Sequence, residues 1–368
     1  MSENSEKDER INELDGLRGM AILAAVLYHY ANNLIDADAS KFNLLIKSIT
    51  HFFYTSIDMF FILSGFLLGG ILLRNKKSKN FFKTFYIRRI CRIVPLYLLL
   101  LVSVIVICSL GIGKGTDWWF NEHISIWVYF TFLQNIFIGI YNDIGNVWLG
   151  PTWSLGVEEQ FYLLISVLIY FSSKRILLIL LLIGIVMAPV FRFNAPTVYA
   201  LSTFTHCRFD ALFGGILVAL AYENSTFVHY FKSQLKKINF IVLVLFSITF
   251  LFSIGKWDMP LFIVNSWFSF LYMLILLLVL TDNTNFITKL SQKKIFINLG
   301  LFSFSIYLFH ELILGLFFFL IPGKLPQIKT FNDILLVTIC AFLTYVTARF
   351  LYLKFEKKFM QMGHRFKY

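Results

Sequence analysis

ISIWVYFTFLQNIFIGIY, residues 124–141, is apolar enough to suggest a membrane span, yet Gln134 and Asn135 sit in its middle. Asn142, Asp143 and Asn146 follow at once. Whether this stretch crosses decides the fold, because a crossing reverses the sidedness of everything after it. The loops settle the expectation. Arg74, Lys76, Lys77, Lys79, Lys83, Arg88, Arg89 and Arg92 crowd the stretch between apolar segments near 52–73 and 93–110. Such a concentration of Lys and Arg marks a cytoplasmic loop. Further basic stretches follow at Lys174/Arg175, at Lys232/Lys236/Lys237, at Lys289/Lys293/Lys294, and at Lys354/Lys357/Lys358/Arg365/Lys367. The alternating loops hold few basic residues, for instance Lys256 alone between segments 238–255 and 261–281. All five clusters fall on one side only if 124–141 fails to cross. It is expected as a re-entrant or interfacial helix, which is tolerated where protein or a cavity covers it.

A span needs roughly 20 apolar residues as helix. Ten are expected, near 17–35, 52–73, 93–110, 157–172, 175–191, 207–222, 238–255, 261–281, 300–321 and 331–353, with both termini cytoplasmic. The fold class is therefore all-α, a polytopic transmembrane bundle. Composition agrees: of 368 residues, 58% are hydrophobic and 15% charged, against about 25% charged in soluble domains. The 43 Phe and 17 Tyr exclude intrinsic disorder. A net charge of +12 reads as positive-inside bias rather than nucleic-acid binding. Cys91, Cys108, Cys207 and Cys340 show no CxxC spacing, so neither a disulfide framework nor a metal site is expected. The acidic first 15 residues have the wrong charge for a secretory signal. The chain divides into a cytoplasmic tail (1–13), one membrane domain (14–359) and a C-terminal cytoplasmic tail (360–368).

Ionisable residues inside spans are costly and mark function by default. Arg18 and His29, in GLRGMAILAAVLYHY, return to nearly one helical face about 16 Å apart. In WSLGVEEQFYLL, Glu158 and Glu159 beside Gln160 and Tyr162 exceed what a helix N-terminus needs. At least one is expected to face a cavity, to orient a histidine or take a proton. Arg89 and Arg92 share a face, which suits phosphates, although loop arginines also serve topology. Ser303, Tyr307 and His310 form one polar stripe, while Glu311 beside His310 reads as solvated near the outer surface. Asp58 and Asp210 are acids at span edges. Ser64, Gly65, Gly69 and Gly70 allow close backbone packing.

Taken together, Arg18-x10-His29, FFILSGFLL (60–68), RRICRIVPLY (88–97), WSLGVEEQFYLL (153–164), G-x-x-S-F-x-x-Y-L-x-H (300–310) and YLKFEKKF (352–359) resemble membrane acyltransferase family 3. That family O-acylates glycans and other cell-surface molecules. Phe304 stands where the family usually has Tyr, and Phe359 where it usually has Pro. The resemblance is to the membrane domain without the periplasmic hydrolase-like domain of some members, which implies hand-over within the membrane. It implies a multi-pass protein of the bacterial cytoplasmic membrane. It also implies acyl-CoA, usually acetyl-CoA, as cytoplasmic donor, no metal, and a hydroxyl acceptor often on the opposite face. Arg18, Arg89, Arg92, Ser64 and Gly65 would then serve the donor side, and Trp153, Tyr162, Asp58 and His310 the acceptor side. His29 would be the general base, oriented by Glu158. Direct transfer and a covalent acyl-enzyme relay both stay open. A glycan or lipid-linked transporter or flippase is the alternative, disfavoured by the lack of an inverted repeat.

Overall fold

The computed structural model describes residues 11–255, 260–321 and 325–368. The acidic tail through residue 10 and the lone basic residue of its loop, Lys256, lie outside the described residues. Among these the chain is helical, with one isolated bridge pairing Ile35 and Ile328. The first half holds α1 (Asn12–Leu27), α2 (Lys41–His51), α3 (Ser56–Asn75), α4 (Phe81–Ser109), α5 (Ile126–Phe130), α6 (Gln134–Tyr141), α7 (Trp153–Phe171) and α8 (Lys174–Phe193). The second holds α9 (Val198–Thr203), α10 (Phe209–Tyr222), α11 (Ser225–Ser233), α12 (Leu235–Ser253), α13 (Leu261–Thr281), α14 (Phe286–Ser291), α15 (Lys294–Phe319), α16 (Phe331–Leu351) and α17 (Lys357–His364).

Eight helical runs are long and apolar enough to cross a membrane, and a ninth if α10 and α11, bent by 96°, count together. Ten were expected. The two outside the eight are 207–222, which qualifies only together with α11, and 17–35, where α1 continues as a π-helical turn, Tyr28–Asn32, and Asp15, Arg18, His29 and Asn32 make the helix polar. Residues 124–141 do not form a spanning helix. They break into α5 and α6 around Phe132, whose φ is +56°. The two polar residues are buried at that break. Gln134 donates to the Thr152 carbonyl at 2.8 Å, and Asn135 to the Thr203 carbonyl at 3.0 Å. Gln160 of α7 donates to Asn135 at 2.8 Å, which explains a polar residue that a helix cap did not. Protein thus satisfies the irregular backbone.

Glycine sets the tightest crossing. A Cβ on Gly19 would stand 1.8 Å from the Phe296 carbonyl oxygen, and one on Gly300 would stand 1.8 Å from that of Asp15. Helices α1 and α15 therefore touch backbone to backbone, running parallel. The C-terminal end docks on the start of α4: Arg88 donates to the Phe366 carbonyl at 2.8 Å and Thr84 to that of Lys367 at 2.9 Å. Two basic clusters thus share one face of the bundle. Helix α17 runs across the domain boundary expected at residue 359.

Lys114 and Asn142 are both exposed and lie on the face opposite the 76–80 loop, since α4 leaves that loop and α7 returns toward it. In a background lacking the four cysteines, Lys114→Cys and Asn142→Cys should both react with a membrane-impermeant maleimide added outside intact cells. Labelling of only one would put a crossing between them.

Candidate active site

One stripe of α3, with Ile57, Phe60, Ser64, Leu67 and Ile71 at helical spacing, walls three adjoining cavities. The first, on the basic face, encloses about 1230 Å³ and is lined by Arg18, Arg74 and Arg92, with Asp15, Glu223 and His364. The second encloses about 810 Å³ and holds Arg18, Arg89, Arg92, Ser64, Glu158 and Tyr162. The third encloses about 1360 Å³ and holds His29, Trp153, Arg208, Tyr307, His310 and Glu311. The first two share Arg18 and Arg92; the last two share Ile57, Phe60 and Tyr307. The π turn after α1 delivers His29 to the third cavity while Arg18 faces the other two, so the pair expected on one face does line one path.

The partner of His29 is a correction. Its Nδ1 lies 2.6 Å from Glu311 Oε1, so Glu311 and not Glu158 orients the imidazole. Glu311 and His310 are buried, 8% and 1% exposed, rather than solvated as their place near a span end suggested. His310 Nδ1 lies 2.7 Å from the Tyr307 carbonyl oxygen, where it can only donate. Its Nε2 then carries the lone pair, 3.7 Å from Glu311 Oε1, and it has no hydrogen-bond partner. The two imidazoles meet edge to face at 4.8 Å. Tyr30 fixes His310 from behind, donating to its carbonyl at 2.6 Å.

His29, His310 and Glu311 offer ligand atoms within 4.8 Å of one another, so a metal is worth testing against the geometry. Two ligands about 2.0–2.1 Å from a tetrahedral zinc stand more than about 3 Å apart. The 2.6 Å contact between His29 and Glu311 is instead hydrogen-bonding distance. The arrangement fits a carboxylate–imidazole pair, whose remaining ring nitrogen can take a proton.

Glu158 belongs to the middle cavity, where Tyr162 donates to its Oε2 at 2.9 Å and Ser64 lies 3.0 Å from the Tyr162 hydroxyl. Tyr162, expected with the acceptor, therefore sits among the arginines. Arg18 pairs with Asp15 at 3.2 Å. The Nε of Arg89 and the Oε1 of Glu159 are buried without a hydrogen-bond partner. Trp153 and His310 do line the third cavity.

Two expected site residues do structural work. A Cβ on Gly65 would stand 2.1 Å from the Leu212 carbonyl oxygen, so Gly65 lets α3 and α10 pack, and it lines none of these three cavities. Asp58 pairs with buried Arg208 at 3.2 Å; a second buried pair, Arg192 and Asp210, stands at 2.7 Å. Arg208 was not anticipated, although a buried carboxylate such as Asp58 demands a cation. Its guanidinium carbon lies 5.6 Å from the centre of the Trp153 ring at the cavity wall.

The profile of a family described as an acyltransferase domain matches residues 11–353. The chain is similar to proteins named O-acetyltransferase OatA from Staphylococcus aureus strains NCTC 8325 and COL. Each is 24% identical over 381 residues, covering 94% of this chain and 57% of the relative. The chain thus spans little more than half the length of these relatives. No solved structure matches it.

Asp58→Ala should leave Arg208 buried and uncompensated, a loss of about 3–5 kcal/mol for such a pair. Thermal unfolding of the purified variant in detergent should start well below that of the wild type. An unchanged midpoint would return Asp58 to the list of ligand contacts.

Proposed function

The chain belongs to this acyltransferase family, and from that premise we propose that it is an integral-membrane O-acyltransferase. It moves an acetyl group from cytoplasmic acetyl-CoA to a hydroxyl of a cell-surface or exported glycan, in a bacterial cytoplasmic membrane. The observation that carries the reading is the His29–Glu311 pair at one end of a path whose other end is lined by arginines.

Arg18, Arg89 and Arg92, with Arg74 at the mouth, offer guanidinium forks to the nucleotide phosphates. The thioester arm runs inward past Ser64 and Tyr162. In the outer cavity the acceptor hydroxyl meets two ring nitrogens. Glu311 holds the Nδ1–H of His29, leaving Nε2 to take the hydroxyl proton. The hydroxyl oxygen then attacks the acyl carbonyl, a C–O bond forms, the C–S bond breaks, and the thiolate leaves to be protonated. Glu311 stabilises the imidazolium formed between these events. His310 Nε2, buried and unpartnered, accepts a hydrogen bond from the incoming sugar. Aromatic walls at Tyr28, Tyr54 and Trp153 suit a sugar's apolar face.

His29→Ala should lower transfer by about 10²–10⁴-fold, the range for loss of a general base, and Glu311→Gln should fall toward the same range. Incorporation of labelled acetyl into alkali-labile esters of membrane-associated glycan reads both. Near-wild-type incorporation by His29→Ala at normal protein levels would remove the imidazole from the reaction.

Arg89→Ala and Arg92→Ala should act on donor binding, raising the acetyl-CoA concentration needed for half-maximal transfer by about tenfold or more, in line with about 1.5–3 kcal/mol for a charge-assisted bond. Titration of CoA and of dephospho-CoA against the purified variants checks this. Unchanged affinities would leave these arginines with a topological role alone.

A further inference from the structure

The middle cavity meets the outer one at side chains that line both: Ile57 and Phe60 on one turn of α3, and Tyr307 on α15. Tyr307 is the fixed side of this septum. Its hydroxyl donates to the Pro151 carbonyl and takes a hydrogen bond from Ser154, with the oxygens 2.7 Å apart. Swinging it would strip two partners from a polar group in a buried site. Phe60 has no polar tie, and its half-buried side chain lines the same two cavities as Tyr307. An apolar ring there can restrict passage only by its bulk.

Building on the proposed acyl transfer, we infer that Phe60, backed by Ile57 against the fixed Tyr307, is the residue that sets acyl length and restricts the donor to short acyl groups. The phosphates are held at the arginines and the base lies in the outer cavity, so the acyl carbonyl must reach the septum for His29 to act on its attacker. An acetyl group presents one methyl there. Each added methylene has to find space beside Phe60. Hydrophobic pockets discriminate single methylenes by about 10–200-fold, so a butyryl group should be strongly disfavoured. The outer cavity beyond opens to solvent, so the septum and not the destination imposes this limit.

The test uses membranes from cells making the full chain, supplied with labelled acetyl-, butyryl- or hexanoyl-CoA, with labelled esters on native glycan as readout. Wild type should favour acetyl over butyryl by about tenfold or more, and Phe60→Ala should narrow that ratio to within about threefold. Ile57→Ala should shift it in the same direction by less. Phe60→Trp should depress acetyl transfer as well. A variant that merely folds poorly lowers every donor in proportion and leaves the ratio alone, so the ratio isolates the septum. If wild type transfers acetyl but Phe60→Ala, present at wild-type level, and Ile57→Ala both keep its donor ratio, the septum does not select and this inference fails. If wild type transfers no acyl group from any donor, the proposed function itself fails.

Discussion

Backbone contact between α1 and α15 places the chemistry. Gly19 and Gly300 remove every Cβ from the crossing, and the two helices then run parallel. His29 follows Gly19 by ten residues and Glu311 follows Gly300 by eleven. At equal rise per residue, two parallel helices locked at the glycines must bring these positions to one depth. The short His29–Glu311 contact is thus a consequence of register, set about 15 Å away by residues that carry no chemistry. Gly16 against the Ser291 carbonyl oxygen, where a Cβ would stand 1.8 Å away, extends the same lock by another turn.

Two sets of ionisable groups among the described residues differ in how they are partnered. Arg192–Asp210 and Arg208–Asp58 are closed pairs, with Arg192 also bonded to the Cys207 carbonyl and Ser266. Their desolvation is met by mutual attraction and by further hydrogen bonds, the condition under which a buried pair is tolerated. They brace α8, α10 and α3 behind the outer cavity. Arg89, Glu159 and His310 are different: each keeps a buried polar atom without a protein partner, and Arg89 and His310 line the cavities. Unsatisfied polar atoms are expensive, and in the cavity walls a bound molecule is what would satisfy them.

Much of this was legible in the sequence, for identifiable reasons. Loop charge argued that 124–141 should not cross, and the segment breaks around Phe132, with Gln134 and Asn135 buried just after the break. Helical spacing put Arg18 with His29, and Ser303 with Tyr307 and His310, along one path. Three-dimensional pairing was not legible. Glu158 looked like the partner of His29 because WSLGVEEQ is rich in acid, whereas Glu311 hid beside His310 within an apolar helix. No periodicity within one helix reports which carboxylate a neighbouring helix will present. Asp58 misled in the same way, since its cation, Arg208, lies 150 residues away. The α1 span count was blurred by the very residues that matter, as Arg18, His29 and Asn32 make that helix polar.

The last link is local. Helix α1 changes to a π turn at Tyr28–Asn32, a distortion that costs helical hydrogen-bond geometry and is frequent at functional sites. Both sides of the turn are tied down. The Tyr30 hydroxyl donates to the His310 carbonyl and stands 2.8 Å from Thr344 of α16, while Asn32 donates to the Lys47 carbonyl of α2 at 2.6 Å. An uninterrupted α-helix would advance each of these side chains by about 100° per residue, and the π turn slows that advance. Tyr30 and Asn32 are held in protein while His29, just before them, is turned into the cavity. The widened turn therefore lets one helix bury two anchors and still present its imidazole to Glu311. Because those anchors reach α15, α16 and α2, the imidazole is fixed by three neighbours before any ligand arrives, the kind of preorganisation that the proposed proton transfer would need.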